Sequence, residues 1–143
     1  MRLAALLVGA VLTALSGSLA SAAVRITSDT GGQIGPYLEQ LVAIRESGQQ
    51  VIIDGPCLSA CTLVLGVIPR DRICVTRRAR LGFHAAWHHG ENGRPATNRG
   101  GTQLLMAVYP ANVKSWINRR GGLTRDMKYL TGAELASMYR TCR

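Results

Sequence analysis

No apolar run in this chain is both long enough and open enough to cross a bilayer: the stretch from Leu3 to Leu15 is short and ends at small residues. No cysteine precedes Cys57, so none stands after that stretch to carry a lipid. Aromatic residues make up only 5% of the chain. The 17 Lys and Arg residues are dispersed and mostly lack aromatic interleaving, a poor composition for a nucleic-acid groove. Asp and Glu number only eight. None of them, and no cysteine, stands at ligand spacing beside His84, His88 and His89, which argues against a metal centre. No cofactor motif, internal repeat or low-complexity tail is present.

What is there begins with a leader. Arg2, the apolar segment and Ala20-Ser21-Ala22 together have the form of a signal peptide cleaved near Ala22. The expected organisation is therefore residues 1–22 as leader and 23–143 as one α/β domain in the periplasm or outside the cell. The net charge of +9 fits solubility and attraction to an anionic envelope surface. In an exported chain an even set of cysteines, Cys57, Cys61, Cys74 and Cys142, points to disulfides. Four cysteines allow three pairings. Sequence does not choose among them; if a helix carries Cys61 beside a strand carrying Cys74, those two can join, and Cys142 would then pin the C-terminus to Cys57.

Along the chain, Val24 and Ile26 start a strand that stops at Asp29-Thr30-Gly31-Gly32. Ile34, Leu38, Leu41 and their neighbours recur at helical spacing up to Gly48, and Val51 to Ile53 is a second strand. Strand, helix and strand within about thirty residues form a crossover unit, which predicts a largely parallel sheet, right-handed crossovers and flanking helices. Leu58 to Leu65 reads as a buried helix, and strands are expected at Ile73 to Val75 and Leu81 to Phe83. Gly90 to Gly101 has the composition of a substrate-facing loop. Helices follow from Thr102 to the Gly121-Gly122 stop. Leu123 to Lys128 is then a linker, and Thr131 with Glu134 has capping-box spacing for a last helix.

Chemistry concentrates on Ser59 and His84. A serine hydroxyl needs a base within hydrogen-bond reach to become a nucleophile, and His84, just past a strand, is the natural one. With Ser59 opening a helix, the Ala60 amide and the helix end would face an oxyanion. The plain alternatives are an ordinary turn at Gly31-Gly32 and a histidine that only caps a strand.

Gly31-Gly32, the run Gly55-Pro56-Cys57-Leu58-Ser59-Ala60-Cys61, and Gly82-Phe83-His84 together resemble the crotonase-like fold of the ClpP serine peptidases. The likeness is greater to a group of exported bacterial ClpP-like proteins. It implies Ser59 as nucleophile, His84 as base, and oxyanion donors from Gly31 or Gly32 and from Ala60. It also implies an orienting acid, for which Asp126, ahead of Tyr129-Leu130-Thr131, is the candidate. Substrates would be peptides or unfolded protein segments. No ATPase partner is expected for an exported chain, and a monomer or small homo-oligomer is expected in place of a closed chamber. The main alternative is a non-catalytic binding or envelope-structural protein on the same fold. A crotonase-type thioester enzyme is a third reading, and export disfavours it.

Overall fold

The chain is described by a computed structural model covering residues 22–143. The expected leader lies outside the described residues except for its last position. In chain order the elements are β1 (Val24–Ile26), α1 (Ile34–Glu46), β2 (Val51–Ile53) and β3 (Pro56–Leu58). A 3-10 turn at Ser59–Leu63 leads into α2 (Val64–Val67), and a second one at Arg70–Arg72 leads into β4 (Ile73–Val75). Then come β5 (Arg80–Phe83), β6 (Trp87–His89), β7 (Pro95–Thr97), α3 (Arg99–Val108), α4 (Ala111–Arg119), β8 (Lys128–Thr131) and α5 (Gly132–Met138). Among the described residues no helix is long and apolar enough to cross a membrane.

The strands do not make the single, largely parallel sheet that the crossover pattern predicts. They form three small sheets: β1-β2-β4, all parallel; β3-β5-β8, with an antiparallel β5-β8 pair; and an antiparallel β6-β7 hairpin. The cause of the first division lies at Asp54-Gly55. Up to Ile53 the chain pairs with β4, and from Pro56 onward it pairs with β5. Asp54, only 6% exposed, sits at the break. It accepts from Arg25 Nη1 at 2.8 Å, Thr76 Oγ1 at 2.7 Å, and Arg78 Nε and Nη2 at 3.1 and 2.5 Å. A buried carboxylate must be paired or strongly hydrogen-bonded, and these donors come from the segments that flank the break.

Other expectations shift for local reasons. The Leu58 to Leu65 segment is a strand end and a 3-10 turn before a single turn of α-helix. The presumed loop at Gly90 to Gly101 is largely the second half of the hairpin and the start of α3. The presumed linker ends in β8, with Leu130 opposite Leu81. Thr131 stands at the start of α5 but makes no side-chain cap bond, so the capping box is absent.

The core is aliphatic around one aromatic cluster. Phe83 meets Tyr109 edge-on and Trp116 at a tilt, both with ring centroids 5.4 Å apart, and Trp116 is fully buried. Truncating such a residue to alanine typically costs about 3–5 kcal/mol. Because Phe83 directly precedes His84, this cluster anchors the strand that delivers the histidine.

The disulfides pair Cys57 with Cys61 and Cys74 with Cys142, which replaces the expected Cys61–Cys74 and Cys57–Cys142. The chain turns so tightly after β3 that Cys57 and Cys61 come within 5.3 Å between Cα atoms. At the other end Thr141 bridges Val75 in parallel, and this sets Cys142 beside Cys74 on β4.

Candidate active site

Ser59 is the only non-glycine residue with positive φ among the described residues, at +57°. Such a conformation costs an L-residue on the order of 1–2 kcal/mol, and such strain persists only where the surroundings enforce it. Three surroundings do so here. The Cys57–Cys61 disulfide spans the turn symmetrically. The Ser59 carbonyl accepts from Thr62 Oγ1 at 2.6 Å. That spends the threonine proton, so the 2.6 Å contact between Thr62 and Tyr109 is a bond donated by the tyrosine. Burial pushes the Tyr109 hydroxyl up to about 12, against the opposing effect of Thr62, so it stays a donor.

The third constraint is Gly31. Its φ is +83°, and a Cβ there would stand 2.5 Å from Leu58 O, 2.6 Å from Ser59 Cβ and 2.9 Å from Ala60 N. Only glycine lets the two backbones approach this closely. The approach is held by Asp29, which pairs with Cys57 in an isolated parallel bridge. Its Oδ1 accepts from the Gly31 amide at 2.8 Å and from the Tyr37 hydroxyl at 2.5 Å. Burial, together with the bond to Asp29, pushes Tyr37 up to about 12. The Gly31 amide is therefore spent inside the loop, and of the glycine pair only Gly32 keeps an amide for a ligand. The 3-10 turn after Ser59 is too short to supply a helix dipole, so the expected contribution of a helix end falls away.

His84 follows β5 and is half-buried. Its Nδ1 lies 2.7 Å from Ala85 O. A carbonyl oxygen can only accept, so Nδ1 carries the hydrogen, and in the neutral ring the lone pair then falls on Nε2. The backbone that holds this arrangement is itself tied down. Ala85 N donates to Thr124 O at 2.7 Å, Ala86 N to Thr102 Oγ1 at 3.0 Å, and Asn98 N to Ala86 O at 2.8 Å.

Asp126 does not take the expected place at Nδ1. It is exposed, and among the described residues its carboxylate makes no hydrogen bond or ion pair. Its neighbours Arg125 and Met127 face the histidine's surroundings instead. The segment between Gly121-Gly122 and β8 is bent, with bends at Arg125 and Asp126 themselves, and it leaves the Asp126 side chain exposed.

Ser59, Ala60, Gly31, Gly32 and His84 all line one cavity of about 640 Å³. Its outer wall is the β6-β7 hairpin, through the half-exposed Trp87 and through His88 and His89. Among the described residues no group of three or more His, Cys, Asp or Glu side chains is arranged to hold a metal ion.

Asp29, Tyr37, Ala85 and Trp87 belong to the site without having been singled out from the sequence. For Asp29 a signal exists: Asp-Thr-Gly is the pattern of a turn in which the aspartate bonds the amide two residues on.

No protein-family profile matches this chain, and no curated protein matches it. Among solved structures it is distantly similar to a ClpP1 mutant from Listeria monocytogenes. The two share 12% identity at a TM-score of 0.46, over 82% of this chain and 71% of that one.

Proposed function

We propose that this chain is a serine hydrolase of the peptidase type, acting on peptides or unfolded protein segments outside the cytosol. The observation that carries the reading is a serine held at positive φ on the wall of the cavity that also receives a histidine of fixed tautomer. An outlier of this kind, at a strand-to-helix turn, is how hydrolases present a nucleophilic oxygen.

In this mechanism Ser59 Oγ attacks the substrate carbonyl and passes its proton to His84 Nε2. The Gly32 and Ala60 amides stabilise the oxyanion. The imidazolium then returns the proton to the leaving amine, and a water molecule repeats the cycle to free the acyl group. Ala85 O takes the place of a carboxylate at Nδ1. It holds the tautomer, but as a dipole it stabilises imidazolium less than a full charge would, so slow turnover is expected. Two disulfides are consistent with an oxidising compartment.

The test is mass spectrometry of a peptide library incubated with the oxidised protein beside its Ser59→Ala variant. Cleavage that requires Ser59 supports the reading. A library left intact by well-folded protein favours a binding or structural role.

A further inference from the structure

His84 stands between two cavities. Beyond the one that holds Ser59 lies a smaller one, of about 280 Å³, and the two share His84, Ala86 and Trp87. The smaller cavity has apolar walls from Trp87, Pro95 and Met127 and one charged residue, Arg125. The Arg125 guanidinium donates to the Pro95 carbonyl, which fixes it against the hairpin. Among the described residues no carboxylate pairs with it, and no Asp or Glu lines either cavity.

We propose that this second cavity is a side-chain subsite that selects a substrate residue ending in a carboxylate, glutamate above all. The apolar walls suit the methylenes of such a side chain. Arg125, with one of its five N–H groups committed to Pro95, still presents a planar fork suited to a carboxylate. A lysine or arginine side chain would meet a fixed positive charge and no counter-charge. The volume fits one side chain and is too small for an extended ligand. The inference rests on the hydrolase reading only in taking the chain held at His84 to be a peptide.

The test measures binding, not turnover. Ser59→Ala protein is titrated by calorimetry with capped hexa-alanine peptides carrying one glutamate at each position in turn, and with the glutamine counterparts. At one position glutamate should bind at least tenfold more tightly than glutamine. That ratio should fall toward one in an Arg125→Gln background and shrink as salt is raised. Arg125→Glu should reverse the preference, favouring lysine at the same position. Circular dichroism verifies that each variant is folded. Equal binding of glutamate and glutamine peptides at every position would overturn the proposal, as would a preference that survives Arg125→Gln. Because the nucleophile is absent, a chain that cuts no peptide can still show the preference. A chain that does cut peptides without it would overturn this inference alone.

Discussion

Gly31 and Ser59 are packed so closely that one methyl group added to Gly31 would lie 2.6 Å from Ser59 Cβ. The same methyl would meet backbone atoms of Leu58 and Ala60, which have no rotamer by which to withdraw. Gly31→Ala should therefore destabilise the chain by about 1–3 kcal/mol and displace the serine. Gly32→Ala, whose methyl would meet only the Tyr37 ring at 3.2 Å, should cost less. Urea denaturation of the two variants checks the order. Equal losses would mean that the close approach does not constrain the turn.

Ser59 itself holds strain that glycine would not. Ser59→Gly should be as stable as the parent or more so, by up to about 1 kcal/mol, although it removes the proposed nucleophile. Ser59→Ala keeps the Cβ and should show no such gain. Thermal melts of the pair separate the two effects, and a clear loss of stability in Ser59→Gly would contradict the strain.

The two disulfides should separate stability from reactivity. A chain-entropy argument gives about 4 kcal/mol for a bridge across 68 positions and about 2 kcal/mol for one across four. Replacing Cys74 and Cys142 with alanine should therefore lower the melting temperature more. Replacing Cys57 and Cys61 should lower Ser59 reactivity more, because that bridge encloses the serine. Melting curves and serine-probe labelling of the two double variants test the crossing of these effects.

Ser59, Ala60, His84 and the glycine pair stand out in the sequence because their residue types carry chemistry where strands end, and the structure groups them around one cavity. The short strands β1, β2, β4 and β5 also lie where the sequence places them, but β3, β8 and the β6-β7 hairpin were not legible. β3 begins at Pro56, β8 follows a segment of turn composition, and the hairpin is interrupted by Glu91, Asn92 and Gly93. Three-residue strands offer little alternation to read, and their pairing is set by partners distant in the chain. The division between the first two sheets falls at Asp54, which gathers Arg25, Thr76 and Arg78, contacts that spacing does not reveal. Asp126 misled for a related reason: the acid stands near the right place in sequence, but the chain bends there and leaves its side chain exposed. The cysteine pairing likewise follows from the tightness of the turn at Ser59.

Asp54 should govern stability in acid. Its hydrogen bonds from Arg78 first, then from Thr76 and Arg25, outweigh its burial and hold its carboxyl well below the usual carboxylate range. A lowered folded-state pKa contributes stability that is complete above the unfolded value, near 4, and is lost as pH falls through that value toward the folded pKa. Urea midpoints of the parent should therefore drop between pH 7 and pH 3. In Asp54→Asn the midpoint should start lower at pH 7 and fall less. Parallel pH dependence in the two proteins would show that Asp54 is not the group responsible.

In the proposed mechanism His84, oriented by the Ala85 carbonyl and not by Asp126, activates Ser59. The rate of labelling by a fluorophosphonate serine probe measures that activation, with oxidised protein compared with Ser59→Ala, His84→Gln and Asp126→Ala. Labelling should vanish in Ser59→Ala, fall by about 100-fold or more in His84→Gln, and stay within about twofold of the parent in Asp126→Ala, where no side-chain bond is lost. A parent that does not label, or an Asp126→Ala variant as impaired as His84→Gln, would overturn the proposed pairing of His84 with Ser59.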